Sequence, residues 1–334
     1  MNHNLLILLI ISNLPLILFF NQIVRKFNIY DQSDGVRKFQ KTPISLFGGS
    51  IIFYNIFILL FFEKIINLNF INSFTFSSNR ETAAFVFGLI SFFMIGLYDD
   101  KYNLNPYKKI TLSTIAILLV LNLDQNILIS ELRFSFFDYI IELRSFSYFF
   151  SILCFLLFVN ALNMFDGINL QVGFYSLVIC IIFIIKGILV DLNLILIFSL
   201  LIFLFYNYQS KIYLGDSGVY LLAFLFSYIF INSHNSDKIF LADEIFIIMF
   251  LPGVDMLRLF LTRITKGKNP FIADSNHLHH LLIKKYSIKF AFCFSQTVIL
   301  FIIVGYHYVA FKLFFLIAAI IFYILTILLL KINK

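Results

Sequence analysis

LQVGFYSLVICIIFIIKGILVDLNLILIFSLLIFLFYNYQSKIYLGDSGVYLLAFLFSYIFINS, residues 170–233, carries only four charged side chains: Lys186, Asp191, Lys211 and Asp216. Each lies near the end of an apolar run. About 20 apolar residues in a helix cross the ~30 Å hydrocarbon core of a bilayer. The stretch therefore reads as three membrane spans, 170–189, 192–207 and 217–233, joined by short turns. The same reading carried outward gives eight more: 4–24, 47–68, 82–98, 108–123, 145–162, 243–262, 289–307 and 313–331. Run 108–123 is short, and 47–68 carries Glu63 and Lys64 near one end. Some helices are expected to be tilted or broken. The expected fold is an all-α polytopic integral membrane protein, one membrane-embedded domain over 1–334. It has about eleven transmembrane helices, with ten as the lower count.

Composition agrees. Hydrophobic residues make up 61% of the 334 and charged residues 13%, against about 45–50% and about 25% in soluble domains. Mean hydropathy is +0.94. Lipid has to be the solvent for much of this surface. Cys154, Cys180 and Cys293 stand singly in apolar runs without a CxxC neighbour, which argues against disulfides and a cysteine zinc site. The run that starts near Asn4 has Arg25 and Lys26 after it and no basic segment before it. It reads as an uncleaved first span rather than a signal peptide.

The formal charge of +7 would suit nucleic acid, but its distribution argues otherwise. Of the 25 Lys and Arg, 18 fall in the loops after odd-numbered spans and the C-terminal tail; 7 fall on the other side. That asymmetry puts the N-terminus outside and the odd loops in the cytoplasm. Segment 124–144 on the outer side partly alternates polar and apolar residues, as a short hairpin or an interfacial helix would.

Five polar clusters all fall in or beside the odd loops: 37–49 (RKFQKTPISLFGG), 96–109 (GLYDDKYNLNPYKK), 160–169 (NALNMFDGIN), 213–218 (YLGDSG) and 263–280 (RITKGKNPFIADSNHLHH). Asp99 and Asp100 close an apolar helix. Acids at a helix C-terminus oppose the macrodipole, so they call for a compensating metal, lysine or substrate. Lys108 and Lys109 follow and suit phosphate. Asn160, Asn163 and Asp166 recur every three residues and make a polar stripe at the membrane boundary, where polar groups line cavities. Gly167 then allows a sharp helix end. Asp216, flanked by glycines, suits Mg²⁺, which often takes one or two carboxylates and fills its shell with water and phosphates. His277, His279 and His280 share a basic loop with Arg263, Lys266 and Lys268. Their spacing lacks the i, i+4 pairing of zinc sites, and imidazoles beside cations suit phosphate oxygens. Together these groups fit phosphoryl transfer from a diphosphate-bearing donor to a lipid phosphate.

These motifs, in this order from about Asp31 to His280, resemble the polyprenyl-phosphate N-acetylhexosamine-1-phosphate transferase family. That family includes phospho-MurNAc-pentapeptide translocase and the enzymes that start O-antigen, enterobacterial common antigen and teichoic acid linkage units. The resemblance implies a cytoplasmic-face active site in the bacterial inner membrane. It also implies Mg²⁺ or Mn²⁺, a UDP-sugar donor, an undecaprenyl or other polyprenyl phosphate acceptor, and UMP as product. Family members are often homodimers. By the same resemblance, Asp99, Asp100 and Asp166 are catalytic, and Asp216 and Asn163 lie at the metal. Lys108, Asn160, Asn169, Arg263, His277, His279 and His280 bind substrate. The HxHH pattern looks like the GlcNAc-type branch, with GlcNAc, GalNAc, FucNAc or QuiNAc as candidate sugars.

Two departures stand out. The family usually continues Asp-Gly-Ile with Asp or Asn and then Gly-Leu, whereas here Asn169-Leu170-Gln171 follows Ile168. The translocase's third acid is Lys101 here. Two alternatives remain. A transporter would place polar groups near the membrane midplane, whereas these gather at one face. A catalytically inactive family member is opposed by the intact acids and histidines but kept open by the 169–171 departure.

Overall fold

The computed structural model describes residues 3–31, 43–65, 78–235, 239–270 and 276–332. Residues 37–42 and 271–275 of two polar clusters lie outside them, as do 66–68 of the span expected over 47–68. Among the described residues each of the eleven apolar runs forms helix. Seven helices are long and apolar enough to cross a membrane, or up to nine if each of two bent pairs is one span. The remaining two apolar segments, 48–62 and Gln171–Ile185, are shorter. The protein is thus a helical membrane protein, and the count of eleven stands for apolar helical segments.

The chain packs as two compact units. The first comprises Met1–Leu104 and Val172–Leu222. It holds α1 (His3–Leu18), α2 (Phe20–Phe27), α3 (Gly48–Ile65), α4 (Asn79–Tyr102), α7 (Gln171–Ile185) from its second residue, α8 (Val190–Tyr208) and the first turns of α9 (Gly215–Asn235). A two-residue antiparallel pair, β1 (Tyr30–Asp31) with β2 (Ile44–Ser45), leads into α3. Helices α1 and α2 meet at 74°. Pro15 lies inside α1 a turn before the bend, where its missing N–H and ring weaken the helix. Ser78 caps α4, accepting from the Glu81 N–H at 3.2 Å. Asn103 ends that helix in the left-handed conformation, φ 51°. Phe53 stacks on Phe93 with centroids 4.1 Å apart.

The second unit comprises Asn105–Gln171 and Ala223–Lys334. It holds α5 (Pro106–Leu123), α6 (Ser147–Phe165), the rest of α9, α10 (Ala242–Ile248), α11 (Phe250–Thr265), α12 (Leu278–Lys285), α13 (Ile288–Tyr308) and α14 (Lys312–Ile332). Pro106 starts α5 behind the Asn105 cap, the position where a missing N–H costs nothing. Helices α10 and α11 meet at 82°, and Pro252 in the first turn of α11 cannot donate back across the break. Segment 124–144 forms a hairpin, β3 (Glu131–Phe134) with β4 (Phe137–Glu142). Its turn is tied down by the buried Asp243 carboxylate, which accepts from Ser135 N–H at 3.0 Å and from the hydroxyls of Ser135 and Tyr306. Of the seven long apolar helices among the described residues, α9 is the most enclosed, 89% buried, and α14 the least, at 22%. Lipid tails are as apolar as phenylalanine, so dispersion and close fit hold such helices together rather than escape from water.

Candidate functional site

In the first unit three of the five polar clusters converge on the start of α9. Both Asp100 carboxylate oxygens accept backbone N–H groups there, from Asp216 at 2.7 Å and Ser217 at 3.0 Å. The compensating partner that the acids at the end of α4 require is thus the N-terminus of another helix, whose unpaired donors and positive dipole end suit an anion. The approach is close enough to demand glycine. A Cβ on Gly96 would lie 2.3 Å from the Asp216 carbonyl oxygen, and one on Gly215, φ +74°, would lie 2.7 Å from Asp100 Oδ2. Gly48 and Gly49 of the 37–49 cluster donate to the carbonyls of Tyr213 and Leu214, at 3.0 and 2.9 Å. Asp99 is 3% exposed, and its Oδ1 accepts the Leu104 N–H at 2.7 Å, bracing the turn after α4. Asp216, in the first turn of α9, is half-buried. Just ahead of it, Tyr213 has its hydroxyl pKa raised by burial and then by the charge of Asp31.

This arrangement bears on a metal. Among the described residues no group of three or more His, Cys, Asp or Glu side chains is placed to hold one, which argues against a protein-built cage. Two neighbouring carboxylates, one pinned by backbone donors and one half-open, match the thin donor set of Mg²⁺ or Mn²⁺ whose other ligands are waters and phosphates.

In the second unit the other two clusters meet. Asn160 and Asn163 lie on α6, half-buried, and Asp166 is the exposed residue that ends it. Asn160 donates to the Leu156 carbonyl at 2.7 Å. Asn169, half-buried, follows in the loop to α7. Gly167 does not adopt the left-handed conformation that a sharp helix end would use; Leu170 does, at φ 70°. The reason for glycine at 167 is room: a Cβ there would lie 2.0 Å from His279 Nε2. The histidine loop thus closes onto the Asn-x-x-Asp-Gly turn.

Helix α12 repeats the device seen at α9. The Asp255 carboxylate of α11 accepts the Leu278 N–H at 3.2 and 3.3 Å and bonds His277 Nδ1 at 3.1 Å. Tyr323 donates to it at 2.5 Å and Arg258 at 2.8 Å. Arg258 also donates to the Tyr323 hydroxyl and to the Asn276 carbonyl. His277 and His279 are buried, with ring centroids 5.3 Å apart and nearly parallel, and the His279 and His280 rings are 4.3 Å apart. Burial and then the two flanking imidazoles push the His279 pKa from 6.5 down to about 3, so this ring is neutral at physiological pH. Arg263, buried in the last turn of α11, donates to the Pro270 carbonyl at 2.6 Å. Asn269 donates to the Tyr107 hydroxyl at 3.0 Å, beside the exposed Lys108.

Residues 82–234 match the model of glycosyl transferase family 4. This segment of the chain is similar to that family. Over 206 residues it is 26% identical to the undecaprenyl-phosphate alpha-N-acetylglucosaminyl 1-phosphate transferase of Escherichia coli O157:H7 (57% of this chain, 55% of that one). Over 218 residues it is 28% identical to a probable undecaprenyl-phosphate N-acetylglucosaminyl 1-phosphate transferase of Bacillus subtilis strain 168 (62% and 60%). Over 153 residues it is 31% identical to a phospho-N-acetylmuramoyl-pentapeptide-transferase of Thermotoga petrophila (42% and 49%). The chain therefore spans about half the length of the curated relatives it matches. The family 4 match takes in the Asp99–Asp100 pair, the 160–169 cluster and Asp216. It ends before Asp255 and the histidine loop.

Sequence reasoning missed Asp255, Arg258 and Tyr323. An acid inside an apolar run with an arginine three residues on was the available signal.

Proposed function

We propose that this chain transfers a sugar-1-phosphate, an N-acetylhexosamine-1-phosphate, from a UDP-sugar to undecaprenyl or another polyprenyl phosphate. The products are polyprenyl-diphospho-sugar and UMP, and the reaction begins a cell-surface polysaccharide. The observation that carries this reading is the start of α9, where Asp100 is held by two backbone donors beside Asp216, inside the segment that matches glycosyl transferase family 4.

In this reading an oxygen of the lipid phosphate attacks the β-phosphorus of the donor. The new P–O bond forms as the bond from the β-phosphorus to the bridging oxygen breaks, and that oxygen leaves on UMP with its charge. Asp99 steers the lipid phosphate and keeps it deprotonated, and Lys108 binds it. Asp216 and Asp100 would hold Mg²⁺ or Mn²⁺, which when bound neutralises the diphosphate and the departing UMP. Asn160, Asn163, Asp166 and Asn169 meet the nucleotide end of the donor, and Asn163 is the one closest in role to the metal. Arg263, His277, His279 and His280 hold the diphosphate and sugar. With His279 neutral, it serves as a hydrogen-bonding group and leaves charge to Arg263. We place the reaction on the cytoplasmic face of a bacterial inner membrane, with 1–334 acting as one transferase domain that works as a homodimer.

The test is a single-turnover panel of the purified protein with undecaprenyl phosphate, Mg²⁺ and several UDP-N-acetylhexosamines. UMP together with a lipid-linked sugar from one donor supports the reading and names the sugar. Asp216→Asn is expected to stay folded and lose turnover; near-normal turnover in that variant removes the metal role. No UMP from any donor, with UDP-sugar binding intact, points to an inactive family member.

A further inference from the structure

The strongest unassigned feature is the buried carboxylate of Asp255, 6% exposed. Its oxygens receive the Arg258 guanidinium, the Tyr323 hydroxyl and the Leu278 N–H. A carboxylate with three donors is an ionised, acceptor-only group. The atom that His277 presents to it, Nδ1 at 3.1 Å, therefore carries a hydrogen. This fixes the ring twice over. The tautomer is Nδ1–H, and Nε2 becomes the one nitrogen left to meet anything else. The same carboxylate caps the first turn of α12 and so fixes where His279 and His280 start. Among the described residues, those two histidines also flank the ring, stacked at 5.3 Å and edge-on at 6.0 Å. Arg258 and Tyr323 brace the far side of the carboxylate; Arg258 also holds the Asn276 carbonyl at 2.8 Å.

We propose that Asp255 is a positioning residue for the UDP-sugar: it locks His277 as the Nδ1–H tautomer and aims Nε2 at the donor. The proposal rests on the function above only for the identity of what the loop binds. A carboxylate behind an imidazole does comparable work at metal sites, where removing such partners costs about 10–100-fold.

The experiment uses the full chain in detergent with ¹⁵N-labelled histidine, read by ¹⁵N chemical shifts of the ring nitrogens, alongside UDP-sugar KM and kcat. In the wild type, His277 is expected as a single Nδ1–H form. Asp255→Asn is expected to lose that form and to raise the UDP-sugar KM at least tenfold, with the polyprenyl-phosphate KM changed less than threefold. His277→Asn keeps a donor near the Nδ1 position and supplies nothing at Nε2. It should hold the wild-type unfolding midpoint while losing donor affinity, and it serves where Asp255→Asn does not fold. An Nε2–H form in the wild type overturns the proposal. So does a midpoint loss in Asp255→Asn without a change in tautomer or donor KM. If no UMP forms at all, the tautomer and direct UDP-sugar binding still read the proposal, and only the reaction assignment fails.

Discussion

Gly167→Ala separates two reasons for a glycine. At this position φ is not in the left-handed region, so alanine is conformationally permitted and only space is at stake. The added Cβ would lie 2.0, 2.4 and 2.6 Å from three atoms of the His279 ring. Ordinary contact between such atoms is about 3.5 Å, so the ring has to retreat by about 1.5 Å. His279 is 3% exposed, stacked on His277 and tilted against His280, so it cannot swing into open solvent. Overpacking of this kind costs about 1–3 kcal/mol. A displacement of about 1 Å in a group that holds substrate costs about 100-fold in rate. The expected result is a lower unfolding midpoint and turnover reduced by about two orders of magnitude, read by UMP release. In a His279→Ala background the ring is gone. The same glycine substitution should then cost less than about 0.5 kcal/mol, giving a coupling energy of at least about 0.5 kcal/mol. Wild-type midpoint and turnover in the single variant would refute the contact between this turn and the histidine loop.

Leu170 occupies the left-handed region, φ 70°, at the position where relatives in the resemblance carry glycine. Leu170→Gly should be more stable than Leu170→Ala by about 1 kcal/mol, the reverse of the usual order; the usual order in chemical denaturation would contradict the backbone assignment. Asp100→Asn replaces one of the two acceptors at the α9 N-terminus with a donor that faces a backbone N–H, so it should lose about 1–3 kcal/mol of stability; an unchanged midpoint says the cap does not contribute. His279 has its pKa lowered from 6.5 to about 3, so between those values the unfolded chain binds a proton that the folded chain does not. Its contribution to stability is full above about 6.5 and is lost as pH falls toward about 3. His279→Gln should flatten the pH dependence of the midpoint across that window, and an identical slope would show that His279 is not the titrating group.

The apolar helical segments were legible because the solvent they need is written in run length. The Asp99–Asp100 pair was legible because acids at a helix C-terminus demand a partner, although the partner, the backbone of α9, lies far along the chain. The breaks were less so. Pro15 precedes the 74° bend and Pro252 follows the 82° bend by a few residues, yet each sits in a run that hydropathy alone reads as one span. Gly167 was read for its backbone, whereas it serves a neighbour contributed by α12, which pattern within 160–169 cannot reveal. The Asp255 cluster was hidden for the same reason. Its partners His277 and Tyr323 come from loop and last helix, and only tertiary packing brings them to one carboxylate.

The central claim is that phosphorus, and not sugar alone, moves to the lipid. The most direct measurement follows a UDP-N-acetylhexosamine labelled with ³²P at the β-phosphate, incubated with the purified chain, undecaprenyl phosphate and Mg²⁺, and then split into organic and aqueous phases. The account predicts label in the lipid phase and unlabelled UMP in the water. Label left in the water as UDP, with sugar on the lipid, would contradict it.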